Sequence, residues 1–352
     1  MTDPIQALAE SIRAAADAKR PLQIRGGGSK AFYGNATSGD DLDVSGYRGI
    51  IEYEPTELVI TARAGTPLAE IETVMREQGQ MLGFEPPYFG GNPTLGGCIA
   101  AGLSGPRRPY AGSARDFVLG LRMLDGRGTD LRFGGQVMKN VAGYDVSRLI
   151  TGSLGTLGVI LELSLKALPL PPSEMTLCRE QTQAEALTLM NEWAGKPLPI
   201  TATCHVDGRL YMRLAGATPA VHSAAAKLGG ETVTDGAAFW QSIRNQSHAF
   251  FKGDQPLWRI SLSSTTSELQ LPGAQLIEWG GALRWLRSDS DAMSVRKTAR
   301  SGDGHATRFR GGDVRTGAFH PLTSAMLKLH KRVKQAMDPA GILNPGRMYP
   351  EL

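Results

Sequence analysis

The stretch Leu22-Gln23-Ile24-Arg25-Gly26-Gly27-Gly28-Ser29 joins a short apolar run to three consecutive glycines and a serine. We interpret Leu22–Ile24 as a strand and the glycines as the loop that follows it. Consecutive glycines adopt positive φ readily, so several backbone N–H groups can converge on one anion, and the Ser29 hydroxyl adds a donor. The functional interpretation is a bound pyrophosphate. On this segment alone, an ordinary glycine-rich turn is an equally good interpretation.

Residues 83–112 contain a second group of glycines, eight in all. The densest part is Gly90-Gly91-Asn92-Pro93-Thr94-Leu95-Gly96-Gly97, and Ala100, Ala101 and Gly102 follow it. This composition lets the backbone approach a flat ligand closely. The alternative is a mobile surface loop. Because long loops without regular structure are usually functional, we favour the ligand interpretation.

A third segment runs from Lys139-Asn140-Val141-Ala142-Gly143-Tyr144-Asp145 into Gly152-Ser153-Leu154-Gly155-Thr156-Leu157-Gly158-Val159-Ile160. Its glycines lack the Gly-x-Gly-x-x-Gly spacing of dinucleotide-binding βαβ units, and no other segment shows that spacing after a strand. The sequence therefore does not favour a nicotinamide cofactor. Taken alone, these residues also fit a helix cap and a turn.

Length, net charge and cysteine spacing limit the classes of protein to which the chain can belong. The chain has 352 residues, of which 41% are hydrophobic and 20% charged, with a formal net charge of +4. At about 150 residues per domain, this length indicates roughly two domains, and so mild a charge does not indicate nucleic-acid binding. Cys98, Cys178 and Cys204 lie far apart, which argues against a disulfide framework and excludes a four-cysteine iron–sulfur cluster encoded by this chain.

The cysteine usage indicates a reducing compartment, and we expect the cytoplasm. The N-terminal residues lack the apolar stretch of a signal peptide. No run approaches the ~20 apolar residues of a membrane span. We therefore expect contact with the inner membrane, if there is any, to go through a partner.

The segment Leu168-Pro169-Leu170-Pro171-Pro172 marks the expected domain boundary, because proline cannot continue a central strand. Before it, the patterns predict a first helix capped by Asp3, short strands separated by glycines, and a hairpin whose turn is Asp125–Gly128. After it, the patterns predict a smaller α+β domain with an antiparallel sheet and an Asp207-Gly208 hairpin. Its helices are expected near 183–194, 218–228 and 237–246, and its strands near 200–206, 209–214 and 257–263.

In their order and spacing, the three glycine-containing segments resemble the FAD-binding domain of the vanillyl-alcohol oxidase / p-cresol methylhydroxylase (PCMH-type) flavoproteins. Arg25–Ser29 resembles that family's pyrophosphate loop, and Gly90–Gly97 with Gly102–Asp116 resembles its second flavin-contacting segment. Lys139–Asp145 with Gly152–Ile160 is similar to the branch that contains glycolate oxidase and D-lactate dehydrogenase. Chain length and the small middle domain most resemble an FAD-binding subunit of bacterial glycolate oxidases.

The resemblance implies an α+β fold with a PCMH-type two-subdomain FAD-binding domain at 1–170 and a smaller α+β cap domain at 173–320. A C-terminal segment, 321–352, would pack back on the FAD domain, since Asp338–Gly346 resembles the family's return to the flavin. The implied cofactor is noncovalent FAD, because a histidine for a covalent link is not obvious, and no metal is implied. The resemblance assigns these residues to FAD: Arg25, Gly26, Gly27, Gly28, Ser29, Gly90, Gly91, Asn92, Pro93, Thr94, Gly96, Gly97, Gly102, Gly152, Gly155, Thr156, Gly158, Ile160 and Asn344.

The histidines depart from the family pattern. Catalytic subunits of this branch carry paired histidines and a Glu-His segment in the cap, groups that bind a 2-hydroxy acid and take its proton while the flavin takes a hydride. The six histidines of this chain show no such spacing. We therefore predict one FAD-binding subunit of a complex that oxidises glycolate to glyoxylate. Its expected partners are a second FAD subunit with the substrate-binding histidines and an iron–sulfur subunit that takes the electrons onward.

Two other functions stay open. The first is a self-sufficient FAD-dependent 2-hydroxy-acid (D-lactate-like) dehydrogenase, for which His305, Tyr144, Arg308 and Arg310 are the candidate catalytic residues. The second is a non-catalytic scaffold subunit whose flavin site is vestigial.

The C-terminal part of the chain is strongly basic. Residues 296–347 contain eleven Lys or Arg and three Asp, a local excess of eight positive charges. We favour a solvated helix face plus loop. Docking of an acidic partner and carboxylate binding by Arg308 and Arg310 are the sharper alternatives. A final helix is predicted at about 322–337, with Leu322, Met326, Leu329 and Val333 on one stripe.

Overall fold

The computed structural model describes residues 3–135 and 145–352. The predicted segment Lys139–Tyr144 therefore lies outside the described residues. Helices α1 to α11 are, in chain order, Pro4–Asp17, Leu68–Glu77, Leu95–Ala101, Arg108–Ala111, Ala114–Phe117, Val146–Ile150, Gln183–Ala194, Thr218–Leu228, Gly236–Arg244, Ala292–Ser301 and Ser324–Met337. Strands β1 to β17 are Leu22–Arg25, Asp40–Asp43, Ile50–Glu54, Val59–Arg63, Gln80–Met81, Val118–Leu124, Asp130–Gly134, Val159–Lys166, Leu168–Pro169, Ser173–Glu180, Ile200–Val206, Arg209–Gly216, Glu231–Thr232, Leu257–Ser261, Ala274–Glu278, Leu283–Arg287 and His305–Arg310.

The first helix confirms the sequence prediction. Asp3 caps α1 by accepting a hydrogen bond from the Ile5 amide at 3.0 Å, and Pro4 occupies the first helical position, where no N–H is needed. Ile12 and Ala15 are buried in one cluster with Leu22 of β1. This packing fixes the start of β1 against α1, and β1 runs directly into the glycine loop.

A five-stranded antiparallel sheet forms the core of the first half of the chain, in the order β3-β4-β8-β6-β7. The predicted hairpin is present as β6 and β7, with Leu124 paired to Asp130. Ile71 and Met75 of α2 and Ile99 of α3 are fully buried in the cluster that includes this sheet. The sheet thereby holds α3 rigidly, and the residues just before and within α3 reach the candidate site.

An eight-stranded antiparallel sheet forms the second half, in the order β13-β10-β12-β11-β15-β16-β14-β17. Asp207 and Gly208 both have positive φ and join β11 to β12, which confirms the predicted hairpin. The predicted helices and strands of this part are present to within a few residues, whereas β10, β13, β15, β16, β17 and α10 were not predicted. The division at 1–170, 173–320 and 321–352 stays a prediction.

A buried ion cluster ties the two halves together. Arg213 of β12 lies 2.7 Å from Glu85, and Arg107 lies 3.2 Å from the same carboxylate. Both guanidinium groups also approach Glu174 of β10, at 3.9 and 3.5 Å. Because each charge has partners, the cluster tolerates its burial and fixes how the halves meet.

The C-terminal helix differs from its prediction. It begins at Ser324, so Leu322 lies before it, and Met326 and Leu329 are 44% and 52% exposed. Its one buried residue is Lys334. The apolar stripe that the sequence places on this helix is therefore not its main contact with the protein. None of the helices in the described parts of the chain is long and apolar enough to cross a membrane.

Candidate functional site

A cavity of about 400 Å³ lies beside the loop that follows β1. Gly26, Gly27, Gly28 and Ser29 line one side of it. Thr94, Gly97, Ala100 and Ala101 of the α3 region line another, and Asn344 and Arg347 reach it from the C-terminal tail. The structure thus brings together residues from three predicted segments, and it adds Arg347. The volume lies in the range of small-molecule and cofactor sites.

The loop Gly26–Ser29 requires glycine for steric reasons. Gly28 has a φ of +70°, a conformation that side-chain-bearing residues rarely adopt. A Cβ on Gly27 would overlap the carbonyl oxygen of Asn92, and a Cβ on Gly26 would overlap the Thr94 hydroxyl. Within the described part of the chain, the Gly26 and Gly27 amides donate to no other group. Two free backbone donors at the edge of a cavity fit an anionic ligand.

The charges around the cavity favour the same class of ligand. Arg25, Lys30 and Arg347 line it, and its described lining contains no Asp or Glu. Burial lowers the pKa of the Lys30 ammonium, which lies 3.2 Å from the Ser29 hydroxyl. Arg347 donates to the Asn35 and Ala31 carbonyls at 2.9 and 2.8 Å, so its guanidinium is held in place. Arg25 pairs with Asp41 at 3.0 Å, outside the lining, so Lys30 and Arg347 are the lining cations that form no ion pair within the described residues. Two such cations suit a diphosphate.

Asn344 joins the tail to the floor of the cavity. Its Oδ1 accepts from the Ile24 amide at 2.9 Å, and its Nδ2 donates to the Leu154 carbonyl at 2.7 Å. The Leu22 amide donates to the Ile342 carbonyl at 2.7 Å, which continues the attachment along β1. Ile342 and Asn344 therefore attach the tail to β1 beside the cavity, and the packing of 321–352 as a segment returning to an FAD domain stays a prediction.

Lys334 anchors this return, and the sequence analysis did not single it out as a functional residue. Its ammonium donates to Asp338 at 2.7 Å and to the Thr156 and Leu343 carbonyls, each at 2.8 Å. Asp338 in turn accepts from the amides of residues 342 and 343. The sequence does show a lysine and an aspartate four residues apart near the end of a helix, which permits an ion pair. It does not show that the lysine also reaches the Thr156 and Leu343 carbonyls.

Several residues assigned to FAD do not line the cavity. Gly90, Gly91, Asn92 and Pro93 form a loop next to it, where the Asn92 carbonyl packs on Gly27. A Cβ placed on Gly91 would lie 3.9 Å from the Cβ of Ser29, which is ordinary van der Waals contact. Asn92, Pro93 and Gly91 therefore pack against the glycine loop, and the assignment of Gly90–Pro93 to FAD stays a prediction.

The remaining glycines of the prediction serve close packing. Gly96 lies inside α3, where a Cβ would come within 2.6 Å of the Ala64 Cβ. A Cβ on Gly102 would come within 2.8 Å of Gly152. Gly96 and Gly102 therefore have close protein neighbours, since α3 begins at Leu95 and turns part of the segment toward the sheet, and their assignment to FAD stays a prediction.

The last group of assigned residues lies behind the cavity. A Cβ on Gly155 would come within 2.7 Å of the Asn344 amide nitrogen, and one on Gly158 would overlap the Met123 side chain. Thr156 is buried, with its hydroxyl donating to the Ser153 carbonyl at 2.7 Å. Ile160 lies on β8 and faces the sheet core. These residues support the wall and do not reach into the cavity.

The candidate catalytic residues do not meet at the cavity. His305 lies at the exposed start of β17, the edge strand of the eight-stranded sheet. Arg308 is buried and donates to the Gly311 carbonyl at 2.6 Å. Arg310 donates to the Gln246 side chain at 2.9 Å and lies over the Phe32 ring. Both arginines therefore have structural partners, and Tyr144 lies outside the described residues.

A second, much smaller cavity of about 20 Å³ lies between the two halves, and no sequence pattern predicted it. Glu278 and Arg259 line it. Burial raises the pKa of Glu278 to about 7, although its carboxylate accepts from the Trp285 indole at 2.8 Å. The Arg259 guanidinium lies 5.1 Å from the centre of the Trp279 ring. The volume suffices for a water molecule and not for an organic substrate.

Thiols and metal ligands contribute nothing to the cavity. All three cysteines are free and buried. Burial raises the pKa of the Cys98 thiol to about 11, so it is protonated near neutral pH. Residues 3–135 and 145–352 contain no group of three or more His, Cys, Asp or Glu arranged to hold a metal ion.

Comparisons with known proteins identify the family. The FAD binding domain family matches residues 3–134. The glycolate oxidase subunit GlcE of Escherichia coli (strain K12) is 51% identical over 350 residues, which cover 99% of each chain. The glycolate oxidase subunit GlcD of Bacillus subtilis (strain 168) is 33% identical over 154 residues, 43% of this chain and 33% of that protein.

A solved structure of p-cresol methylhydroxylase superposes with a TM-score of 0.70 at 14% identity, covering 99% of this chain and 87% of the other. An alkyldihydroxyacetonephosphate synthase structure gives a TM-score of 0.66 at 14% identity, covering 97% and 74%. At these identities the two structures show a shared fold alone. Together with the near full-length match to GlcE, they show that the chain belongs to the GlcE family of glycolate oxidase subunits, within the flavoproteins of PCMH-type fold.

Proposed function

We propose that this chain is the FAD-binding subunit of a glycolate oxidase complex that oxidises glycolate, a 2-hydroxy acid, to glyoxylate. The observation that carries the proposal is the cavity at the glycine loop, whose described lining has two free amides, two cations that form no ion pair (Lys30 and Arg347) and no carboxylate. The full-length similarity to a glycolate oxidase subunit supports the substrate and the assembly.

The residues present fit FAD. Gly26, Gly27 and Ser29 would donate to the diphosphate, with Lys30 and Arg347 offsetting its charge. Asn344 keeps β1 and the tail together, so the loop is already in place before a ligand binds. When bound, the flavin supplies the two-electron chemistry, accepting a hydride and passing electrons onward. The described lining contains no His or Cys, which fits noncovalent binding.

The same lining supports a division of labour between subunits. Oxidation of a 2-hydroxy acid needs a group that takes the hydroxyl proton as the hydride leaves. The described lining of this cavity has no histidine, and His305, at the exposed start of the edge strand β17, is not part of that lining. We assign the proton-accepting histidines to a second FAD subunit and the onward electron path to an iron–sulfur subunit. The complex would work in the cytoplasm, reaching the inner membrane only through a partner.

The test is a visible absorbance spectrum of the chain purified alone, recorded before and after anaerobic addition of glycolate. We expect flavin bands that glycolate leaves unchanged until the partner subunits are added. Bleaching by glycolate in the isolated chain would overturn the division of labour and favour a self-sufficient dehydrogenase. A folded chain without flavin bands would overturn the cofactor assignment and favour a scaffold.

A further inference from the structure

The outward face of α11 carries large apolar side chains that are about half exposed. Helices that pack on a protein normally bury an apolar stripe. Here Leu329 and Met326 are about half exposed, and the one buried residue is Lys334. Since Lys334 is held by backbone carbonyls and Asp338, the helix is attached through a polar anchor, with Val333 and Met337 only partly buried. Leu329 is left about half exposed at the edge of this contact.

The positive charges on this face have no acidic partners within the described parts of the chain. Residues 324–337 contain four Lys or Arg and no Asp or Glu. Lys328, Lys331 and Arg332 are exposed, and none forms an ion pair with a carboxylate in the described parts of the chain. These three cations line a groove of about 460 Å³ together with Leu327.

The basic stretch 296–347 now separates into two groups. Seven of its cations have a hydrogen-bond or ion-pair partner within the described chain, namely Arg296, Arg300, Arg308, Arg310, Arg315, Lys334 and Arg347. Three of the other four are Lys328, Lys331 and Arg332 on α11. The positive charge that the fold itself does not use is therefore concentrated on one helix, beside its exposed leucine.

We propose that this α11 face, made of Lys328, Leu329, Lys331 and Arg332, docks on an acidic, partly apolar surface of a partner subunit. The inference rests on the proposed function, which makes this chain one member of a complex. Charge complementarity specifies the partner surface, because carboxylates beside an apolar patch would match three cations that lie to one side of a leucine. A membrane is a poorer match, since interfacial helices present a broad Trp, Phe and Leu face, and this face offers one leucine with Met326 nearby.

The test uses the assembled complex. The chain is co-expressed with the other subunits, the complex is isolated through a tag on a partner, and the amount of this chain retained is measured with its FAD content. Lys328→Glu/Arg332→Glu is the test variant, and Lys227→Glu/Lys252→Glu, on exposed residues elsewhere, is the matched control. We expect the test variant to be retained at least about tenfold less, because like charges then face each other, while FAD per purified chain is unchanged.

The outcomes separate the two proposals. Retention of the test variant at the wild-type level, alongside the control, would overturn the docking proposal and leave the subunit role intact. Absence of wild-type chain from any complex would overturn the subunit role itself. Flotation with anionic vesicles that the wild type shows and the test variant lacks, with retention in the complex unchanged, would replace the partner surface by a membrane.

Discussion

Lys334 offers the most quantitative test of how the C-terminal tail is fixed. Its side chain is 8% exposed, and its ammonium lies 2.7 Å from the fully buried carboxylate of Asp338. Replacing it by methionine keeps the length of the side chain and removes the charge. The Asp338 carboxylate and the carbonyls of Thr156 and Leu343 would then be buried with a partner missing.

The expected cost is large. Removing one member of a buried ion pair typically destabilises a fold by about 3–5 kcal/mol, because the remaining charge is left uncompensated. The double variant Lys334→Met/Asp338→Asn should recover part of this loss, since no buried charge remains. The single variant should also weaken FAD binding, because Asn344 follows directly on the segment that Lys334 holds and bonds to Ile24 beside the glycine loop.

Urea unfolding followed by tryptophan fluorescence and circular dichroism would measure these differences, with an FAD titration of each variant. A conservative Lys334→Arg variant serves as a control for the charge. A loss below about 1 kcal/mol, the level of an ordinary exposed ion pair, would refute the reasoning. So would a double variant that is no more stable than the single one.

Three further predictions concern the buried groups. Burial raises the pKa of Glu278 from its usual 4.5 to about 7, so the folded chain holds this proton more tightly than the unfolded chain. Stability should therefore fall by about 3 kcal/mol as the pH rises from about 4.5 to about 7, and Glu278→Gln should flatten that part of a urea-unfolding profile. Arg213→Met should lower the free energy of unfolding by about 1–3 kcal/mol in the same assay, because Glu85 loses a charged hydrogen bond at 2.7 Å. Gly96→Ala should cost about 1–3 kcal/mol by crowding Ala64 while the folded fraction keeps its FAD, and loss of FAD at unchanged stability would contradict its packing role.

Elements with local signals could be predicted from the sequence. Asp3 and Pro4 define the start of α1, and Asp207-Gly208 defines a hairpin, since both depend on neighbouring residues alone. The strands β16 and β17 could not be predicted in this way. Leu283–Arg287 contains two arginines, and Arg284 is fully buried because it donates to the Thr266 and Gly281 carbonyls. Such partners are known only from the tertiary structure.

In the candidate site, too, some residues have a local sequence signal and others have roles that depend on the fold. The glycine loop could be predicted, because the need for glycine at positions 26–28 is visible in the sequence. Lys30, Arg347 and Lys334 could not, because their roles depend on the backbone that each meets in the fold. Gly96 was assigned to the ligand because a packing glycine and a ligand-binding glycine look alike in a sequence.

The central claim is that the loop after β1 binds the diphosphate of FAD, and Gly27→Asp tests it most directly. The aspartate would bring a carboxylate to the anion site, and its Cβ would overlap the Asn92 carbonyl. Gly46→Asp is the matched control, because Gly46 is exposed and has open space around a Cβ. The measurement is FAD bound per purified chain, with circular dichroism to confirm folding. We predict that wild type and Gly46→Asp bind FAD and that a folded Gly27→Asp variant does not; a folded Gly27→Asp variant that binds FAD like the wild type would contradict the account.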